Sequence, residues 1–586
     1  MMIRSAISAL VLACMSVAAF AADPQQPASW SRSTSDADSI QTRAYESLDL
    51  VQLAEDDAFN EAAGKPPRFA IANDVLVTPY NGGTWTEVGD LSIWQFRVTG
   101  KETASFNFGF TRYRLPAGAE LFIYAADRSS SAGPYTDFHN NEHDQLWTPI
   151  IASADVVVEL NVPTARRGQV VLELTKVNQG YRGFGTAVKG YATLDLDLPG
   201  EGKQCKDDNG RSGSCNTDTT CLTPGDPWNL PRRAVGAYTI GGTDTCTGSL
   251  VNNTNNDRKM LFMTATHCGV TTASAPSMVV YWNYESPTCR RPGSSASGIP
   301  VPRPNTTSTG ATFRAATINP FGGGGFTVGT QCSDNTLVEM NQPANPAFNL
   351  FWAGWDRTAP ASVCSPPADI TQTTGLCASI HHPGVDEKRI TFIEQNMISG
   401  SIASSNGVHW RVLWDTTPPN LPAFPAGGTL PPSVTEGGSS GSPLYNSQQR
   451  LVGVLSGGAS FCGATGASLS DEYGKFTHAW EGLGTPTTRL RDWLDPAATA
   501  PSFINGIGAS GFQLAPTPAT VGVCATVGSV NVAIAVTADA GFTTPVDFTV
   551  SGAPTGSTAS VSPTPVTPPG TTTLTVGNLG AATPGS

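Results

Sequence analysis

The stretch Glu436-Gly437-Gly438-Ser439-Ser440-Gly441-Ser442-Pro443-Leu444 is a glycine-rich turn built around a serine. A serine hydroxyl is a weak nucleophile and needs a base within hydrogen-bond reach. Two other stretches offer the missing parts. Thr264-Ala265-Thr266-His267-Cys268 follows the apolar run Met260 to Met263, and Ser333-Asp334-Asn335-Thr336-Leu337-Val338 sets an acid just before another apolar run. A histidine can take the serine proton and later hand it to the leaving amine, while a buried carboxylate fixes the imidazole tautomer and stabilises the imidazolium. Glycines beside the serine let backbone N–H groups approach a developing oxyanion with no Cβ in the way. Gly438 and Ser440 would be those donors. Each part alone is ordinary, since the chain has 7 histidines and a Ser-Gly turn is usually only a turn. The weight lies in finding His, Asp and Ser each in a fitting local context.

With those segments in view, the middle of the chain resembles the chymotrypsin-like serine proteases, and among them the bacterial lysyl endopeptidases. The likeness runs through Thr245-Cys246-Thr247-Gly248-Ser249-Leu250-Val251-Asn252-Asn253-Thr254, Asp257-Arg258-Lys259-Met260, Thr266-His267-Cys268 and Val280-Tyr281-Trp282-Asn283-Tyr284. It continues through Asn345 to Trp355, His381-His382-Pro383, the Ser440 turn and Arg491-Asp492-Trp493-Leu494-Asp495-Pro496. The resemblance implies two packed β-barrels with the site between them and His267, Asp334 and Ser440 as the triad. It implies that Asp471 receives a basic side chain in the primary pocket, where a desolvated acid pairs with an ammonium or guanidinium. Ser456-Gly457-Gly458 would pair with substrate backbone by strand addition.

Two departures bear on specificity. Ser456 stands where those relatives carry a histidine, and no tryptophan occurs between Ser399 and Val408, where its stacking partner is expected. A pocket so altered admits arginine as well as lysine. Residues 212–510, however, hold only Lys259, Lys388 and Lys475 against many arginines, as suits a lysine-directed enzyme that spares itself. The expectation is cleavage after basic residues, lysine preferred. Ser439 replaces the aspartate that precedes the nucleophile in the wider trypsin pattern, so activation by a freed N-terminus pairing there is not expected. The resemblance instead ties the N-terminus by Cys215–Cys462 and implies Cys221–Cys289 and Cys246–Cys268. Cys364 and Cys377 are close enough to pair locally, and Cys332 has no evident partner. Sequence alone does not settle the connectivity.

Outward from this unit, 586 residues suggest about four units at one per roughly 150 residues. Charged residues at 14%, with 61 Gly and 45 Pro, favour loop-rich β structure. A net charge of −13 disfavours nucleic acid as a partner, and 12 cysteines favour an oxidising compartment. Arg4, the apolar run Ala6 to Phe20 and Ala19-Phe20-Ala21 read as a cleaved secretory signal over 1–21. A lipid-modified Cys14 fits less well, because it lies inside the apolar run. Residues 22–211 read as a propeptide, β-rich from about 45, on strands such as Leu91 to Phe96 and the alternating Phe106, Phe108 and Phe110. Processing near Lys206 or Arg211 suits the expected specificity.

Residues 212–510 form the protease unit, with one amphipathic helix marked by Leu490, Trp493 and Leu494. Residues 511–586 alternate as an immunoglobulin-like sandwich segment that lacks a closing strand and reads as truncated. The whole is all-β. His139-Asn140-Asn141-Glu142-His143 fits a zinc-protease pattern, but its loop-like flanks give no helix to align the histidines. Neither metal nor cofactor is expected, and the product is an exported monomer acting on proteins and peptides. The rival reading is an exported β-sandwich binding or adhesion protein whose protease-like domain is inactive.

Overall fold

The structure is a computed structural model that describes residues 5–6, 12–13, 26–31, 39–182, 212–222, 226–297, 299, 301–322, 332–358, 364, 375–393, 395–403, 405–415, 430–509, 512–517, 522–523, 528–538, 545–550, 553 and 556–581. It forms two compact units, Gln25–Gly506 and Met1–Pro24 with Ile507–Ser586. Most of the predicted signal, the linker with Lys206 and Arg211, and Cys14, Cys205 and Cys524 lie outside the described residues.

The larger unit begins with a two-sheet sandwich. One sheet has the order Leu146–Trp147, Ser105–Arg114, Val171–Gly180, Ala70–Val77. The other runs Thr42–Tyr45, Leu91–Gly100, Asp155–Pro163, Glu120–Ala125, Ser131–Tyr135. Strand alternation sends Trp94, Phe96, Phe106, Phe108, Phe110, Val156, Val158 and Leu160 into one buried core. The helix Leu50–Ala62 breaks the expected β pattern of this region. Its start is set by Asp49, whose side chain accepts from the N–H groups of Val51 and Gln52, and Leu53, Ala54 and Asp57 form its buried face.

Two further antiparallel sheets follow. The first has the order Thr307–Thr309, Val279–Tyr281, Val235–Ile240, Asp244–Leu250, Leu261–Ala265, Asn335–Met340, Ala311–Ala316. The second follows the path Thr217–Asp218, Arg389–Ile393, Cys377–His381, Pro443–Tyr445, Leu451–Gly458, Ser470–Lys475, His409–Leu413, Ile398–Gly400. These are the two curled halves of a chymotrypsin-like protease, as the sequence led us to expect. The predicted terminal helix is a single turn, Arg491–Leu494, and a second short helix, Phe476–Glu481, carries no stripe long enough to read in advance.

The four pairings Cys215–Cys462, Cys221–Cys289, Cys246–Cys268 and Cys364–Cys377 are formed, and Cys332 is a buried free thiol. The sandwich packs on the first protease sheet through a shared apolar cluster that includes Phe69, Trp147, Ile150, Val279, Tyr281 and Val385.

In the smaller unit, Phe512–Thr517, Ser529–Ala538, Gly570–Gly577 and Thr558–Ser562 pair as an antiparallel sheet over Ile534, Leu574 and Val576. No helix among the described residues is long and apolar enough to cross a membrane.

Candidate active site

His267 sits in the tight turn Thr266–Cys268 that ends the strand Leu261–Ala265, and Gly269 closes the turn in the left-handed region. The neighbouring strand starts at Asn335, opposite Ala265, so its preceding residue Asp334 arrives beside the histidine. The Asp334 carboxylate takes two bonds from that one residue: His267 N–H donates to Oδ1 (2.8 Å), and His267 Nδ1 lies 2.7 Å from Oδ2. Both side chains are buried. Asp334 itself has φ 55°, an uncommon conformation for a non-glycine residue, which the doubly bonded carboxylate holds in place.

Ser440 reaches this corner through backbone contacts. Thr247 N–H donates to Ser440 O (2.9 Å), Thr247 Oγ1 donates to Gly438 O (2.8 Å), and Cys246, next in chain, is bridged to Cys268. The loop's internal bonds run from Ser439 N–H to Glu436 O (3.0 Å) and from Ser442 N–H to Ser439 O (2.9 Å). Those bonds leave out the N–H groups of Gly438 and Ser440. Gly438 has φ 92°, and a Cβ there would lie 2.6 Å from Val385 Cγ2, so only glycine keeps this shape.

Asp471 lies on the strand Ser470–Lys475 and is 1% exposed. Its Oδ2 accepts from Trp414 Nε1 (2.6 Å), Thr435 Oγ1 (2.6 Å) and Ser460 Oγ (2.5 Å), and its Oδ1 from Ser460 N–H (3.2 Å). Every one of these donors is neutral. Among the described residues no Lys or Arg pairs with it, and burial pushes its pKa up. Adjacent Glu472 differs, since it is paired with Arg411 (2.5 Å). Gly458 faces Asp471 Oδ1 so closely that no Cβ fits. Gly457 and Gly458 pair with Glu472 and Asp471 across the sheet, and Ser456 Oγ lies 3.0 Å from His409 Nε2.

Several site neighbours escape a reading by motif. Trp414, Thr435 and Ser460 come from three separate segments and are common residue types. His409 is buried, its pKa pushed down to about 4 chiefly by desolvation, and Phe321 stands edge-on to His267 with ring centroids 5.3 Å apart.

The sandwich also reaches the site. Pro67 O accepts from Thr245 N–H (3.0 Å), and Phe69 N–H donates to Thr243 O (2.8 Å). Gly64 faces the Phe321 ring, and Pro67 faces Gly437. The zinc-like motif is spent elsewhere: His139 Nδ1 accepts from Thr136 N–H (3.1 Å), and His143 Nε2 lies 3.1 Å from Thr312 Oγ1. Among the described residues no three His, Cys, Asp or Glu side chains are grouped to hold a metal.

Two barrel-forming sheets with a His–Asp pair and a glycine-flanked serine at their junction define a protein of the chymotrypsin-like protease class. Residues 209–474 match the family model described as "Lysyl endopeptidase, C-terminal domain". The chain is 26% identical over 375 residues to a lysyl endopeptidase of Pseudomonas aeruginosa, a match covering 62% of this chain and 65% of that protein, just under two thirds of its length. The chain belongs to the lysyl endopeptidase family. Similar solved structures include a protease from M. tuberculosis in its active form, at 12% identity and TM-score 0.24, covering 46% of this chain and 89% of that one. A Glu endopeptidase is similar at 15% identity and TM-score 0.22, covering 44% of this chain and 89% of that one.

Proposed function

We propose that the chain is the precursor of an exported serine endopeptidase that cleaves after basic residues, lysine before arginine. The observation that carries the reading is the His267–Asp334 pair, 2.7 Å apart and buried beside the Ser440 turn. In the first step His267 Nε2 takes the proton of Ser440 Oγ as that oxygen attacks the substrate carbonyl. Asp334 holds Nδ1 protonated, so Nε2 presents its lone pair to the serine. The oxyanion is received by the N–H groups of Gly438 and Ser440, which the loop's own bonds leave aside. His267 then protonates the leaving amine, and water hydrolyses the acyl-enzyme by the same route.

Specificity rests on Asp471. A buried carboxylate served only by neutral donors is costly to ionise and gains most from a cation that arrives with the substrate. Substrate backbone N-terminal to the cut would pair along Ser456-Gly457-Gly458.

The segment 64–69 is read as an inhibitory strap of the propeptide. It runs from Phe321, beside His267, past Gly437 to the edge at Thr243 and Thr245, where it pairs as an added strand. Its Lys65 is followed by Pro66 and Pro67, and Lys65 Nζ bonds Asn60 Oδ1 (2.9 Å) rather than Asp471.

The deciding experiment treats processed protein with a fluorophosphonate and with lysine, arginine and leucine peptide amides. Labelling at Ser440 with hydrolysis confined to the basic amides is expected. No labelling would sink the enzyme reading in favour of a binding protein with an inactive domain. A Ser440→Ala precursor processed at the same bond in pure form would rule out self-cleavage.

A further inference from the structure

Behind the oxyanion turn lies a second buried carboxylate without a cation. Asp386 is fully buried in the loop between the strands Cys377–His381 and Arg389–Ile393. Its Oδ1 accepts from Tyr284 Oη (2.6 Å), and its Oδ2 accepts from the backbone N–H of Ser212 (3.1 Å). Ser212 is itself buried and follows Arg211 in sequence. The charged groups around this carboxylate are committed elsewhere. Glu387 is paired with Arg290 and Arg389, Lys388 Nζ donates to Arg232 O (2.7 Å), and Arg303 lies over the Tyr281 ring. His382 presents Nδ1 to Asp386 O (2.8 Å) and is held neutral by burial. Among the described residues no Lys or Arg pairs with Asp386, and burial together with the neighbouring Glu387 pushes its pKa well up.

The loop that carries Asp386 also supports the turn that would bind the oxyanion. Gly384 N–H donates to Gly437 O (2.8 Å), and Val385 is the residue that excludes a Cβ at Gly438. The other flank of the turn is tied to the same short segment: Gly213 N–H donates to Glu436 Oε2 (2.9 Å), and Asn216 Nδ2 donates to the same oxygen (3.1 Å). Ser212 and Gly213 therefore bond to both sides of the Glu436–Ser440 turn at once. The aspartate of the wider trypsin pattern is absent, since Ser439 instead places Oγ 2.8 Å from His381 Nδ1. The carboxylate that meets Ser212 comes from a different loop.

We propose that Asp386 is the receptor for the α-ammonium of Ser212 released by hydrolysis of the Arg211–Ser212 bond, and that this ion pair fixes the Gly437–Ser440 turn in its oxyanion-binding shape. The proposal rests on the endopeptidase reading above. In the cleavage, water adds across the amide: the C–N bond breaks, a C–O bond forms, Arg211 gains a carboxylate and Ser212 an ammonium. The nitrogen already lies within hydrogen-bond distance of Oδ2, so a neutral donor becomes a charged one in place. Asp386 is thus a positioning residue, acting on the turn through Gly384 and Val385. Its ammonium partner titrates, and the groups facing that ammonium are Asp386, Glu387, Tyr284, Glu436 and the neutral His382.

The test uses the full chain, self-processed or processed by a trypsin-like protease. The N-terminus of the mature protein is expected to be Ser212. Its kcat/KM on a lysine peptide amide is expected to fall at alkaline pH with an apparent pKa above the ~8 of a free α-amine. Asp386→Asn is expected to lower kcat/KM by about tenfold to a hundredfold and abolish that alkaline limb. Should this variant fail to fold, a glycine inserted between Arg211 and Ser212 gives the decisive protein, its ammonium displaced by one residue. The same loss, with a shifted alkaline limb, is expected. A mature chain starting elsewhere, such as Asp207, overturns the proposal. So does an inserted-glycine enzyme with the parent's activity and pH profile. Failure of the parent to label at Ser440 strikes the endopeptidase reading instead, while the N-terminal sequence still decides where the chain is cut.

Discussion

Replacing Asp471 by Asn removes one negative charge and almost no volume. The four donors around the carboxylate are neutral, so the substrate cation is the only positive charge the pocket is arranged to receive among the described residues. At a separation of ~4 Å and an effective dielectric constant of about 20, an ion pair is worth about 4 kcal/mol. Truncating one partner of a buried pair costs about 2–5 kcal/mol in measured cases. The kcat/KM for lysine and arginine peptide amides should therefore fall about a thousandfold, at ~1.4 kcal/mol per tenfold. Folding should change little. The Asn oxygen can replace Oδ2 and keep Trp414, Thr435 and Ser460 satisfied, while its NH2 meets Ser460 N–H and forfeits one bond of about 1 kcal/mol. Loss of a desolvated charge offsets that cost, since burial raises the Asp471 pKa. The assay compares lysine, arginine and leucine amides, with fluorophosphonate labelling of Ser440 and a urea midpoint as controls. A drop of under about tenfold for both basic substrates, with folding intact, would refute the assignment of Asp471 to the pocket.

Asp334→Asn should lower kcat by about ten thousandfold with KM nearly unchanged. Asp334 accepts from both the N–H and Nδ1 of His267, and an amide can accept only one of those bonds, leaving the other nitrogen against NH2; steady-state kinetics decide it. Acid should destabilise the fold as pH falls below ~6.5. The pKa of His409 is held at about 4 and that of His381 at about 3, so the unfolded chain binds protons first. His409 alone then contributes on the order of 3 kcal/mol, lost between pH ~6.5 and ~4, and His409→Gln should flatten the urea midpoint in that window. A peptide with the sequence of residues 64–69 should inhibit the mature enzyme competitively, and replacing Pro66 and Pro67 by Ala should turn it into a substrate cut after Lys65. Inhibition that excess substrate does not relieve would set the strap aside.

The parts of the site that were legible in the sequence are those whose neighbours along the chain dictate them. His267 ends an apolar strand, Asp334 begins the next, and the serine sits among glycines that the backbone requires. Pairing of Ala265 with Asn335 then brings the first two together without any further instruction. The pocket around Asp471 was legible only as its acid. Trp414, Thr435 and Ser460 acquire their role by converging from separate segments, which leaves no periodic trace. The helix Leu50–Ala62 was hidden because its buried face is short, Leu53, Ala54 and Asp57, and its clearest signal is a single capping aspartate. Asp386 reads as a surface residue in a charged run, Asp386 to Arg389, until the fold buries all four.

Lysine preference turns on what the Ser456 substitution did to the imidazole expected there. The structure does not leave that neighbourhood without one. His409, from the strand on the far side of Ser470–Lys475, sends Nε2 to within 3.0 Å of Ser456 Oγ, so serine has become the hydrogen-bond partner of a histidine supplied by another strand. Because His409 is buried and neutral above pH ~4, it adds no positive charge to oppose a substrate cation. The pair fills space on the strand beside Asp471 that a broad guanidinium would need, while a narrow ammonium requires only the carboxylate and its ring of hydroxyls. Ser456→Ala frees His409 without widening the backbone and should leave lysine cleavage near the parent's. Ser456→Gly should raise arginine cleavage relative to lysine. If arginine already equals lysine in the parent, His409 is a packing residue and the selectivity argument fails.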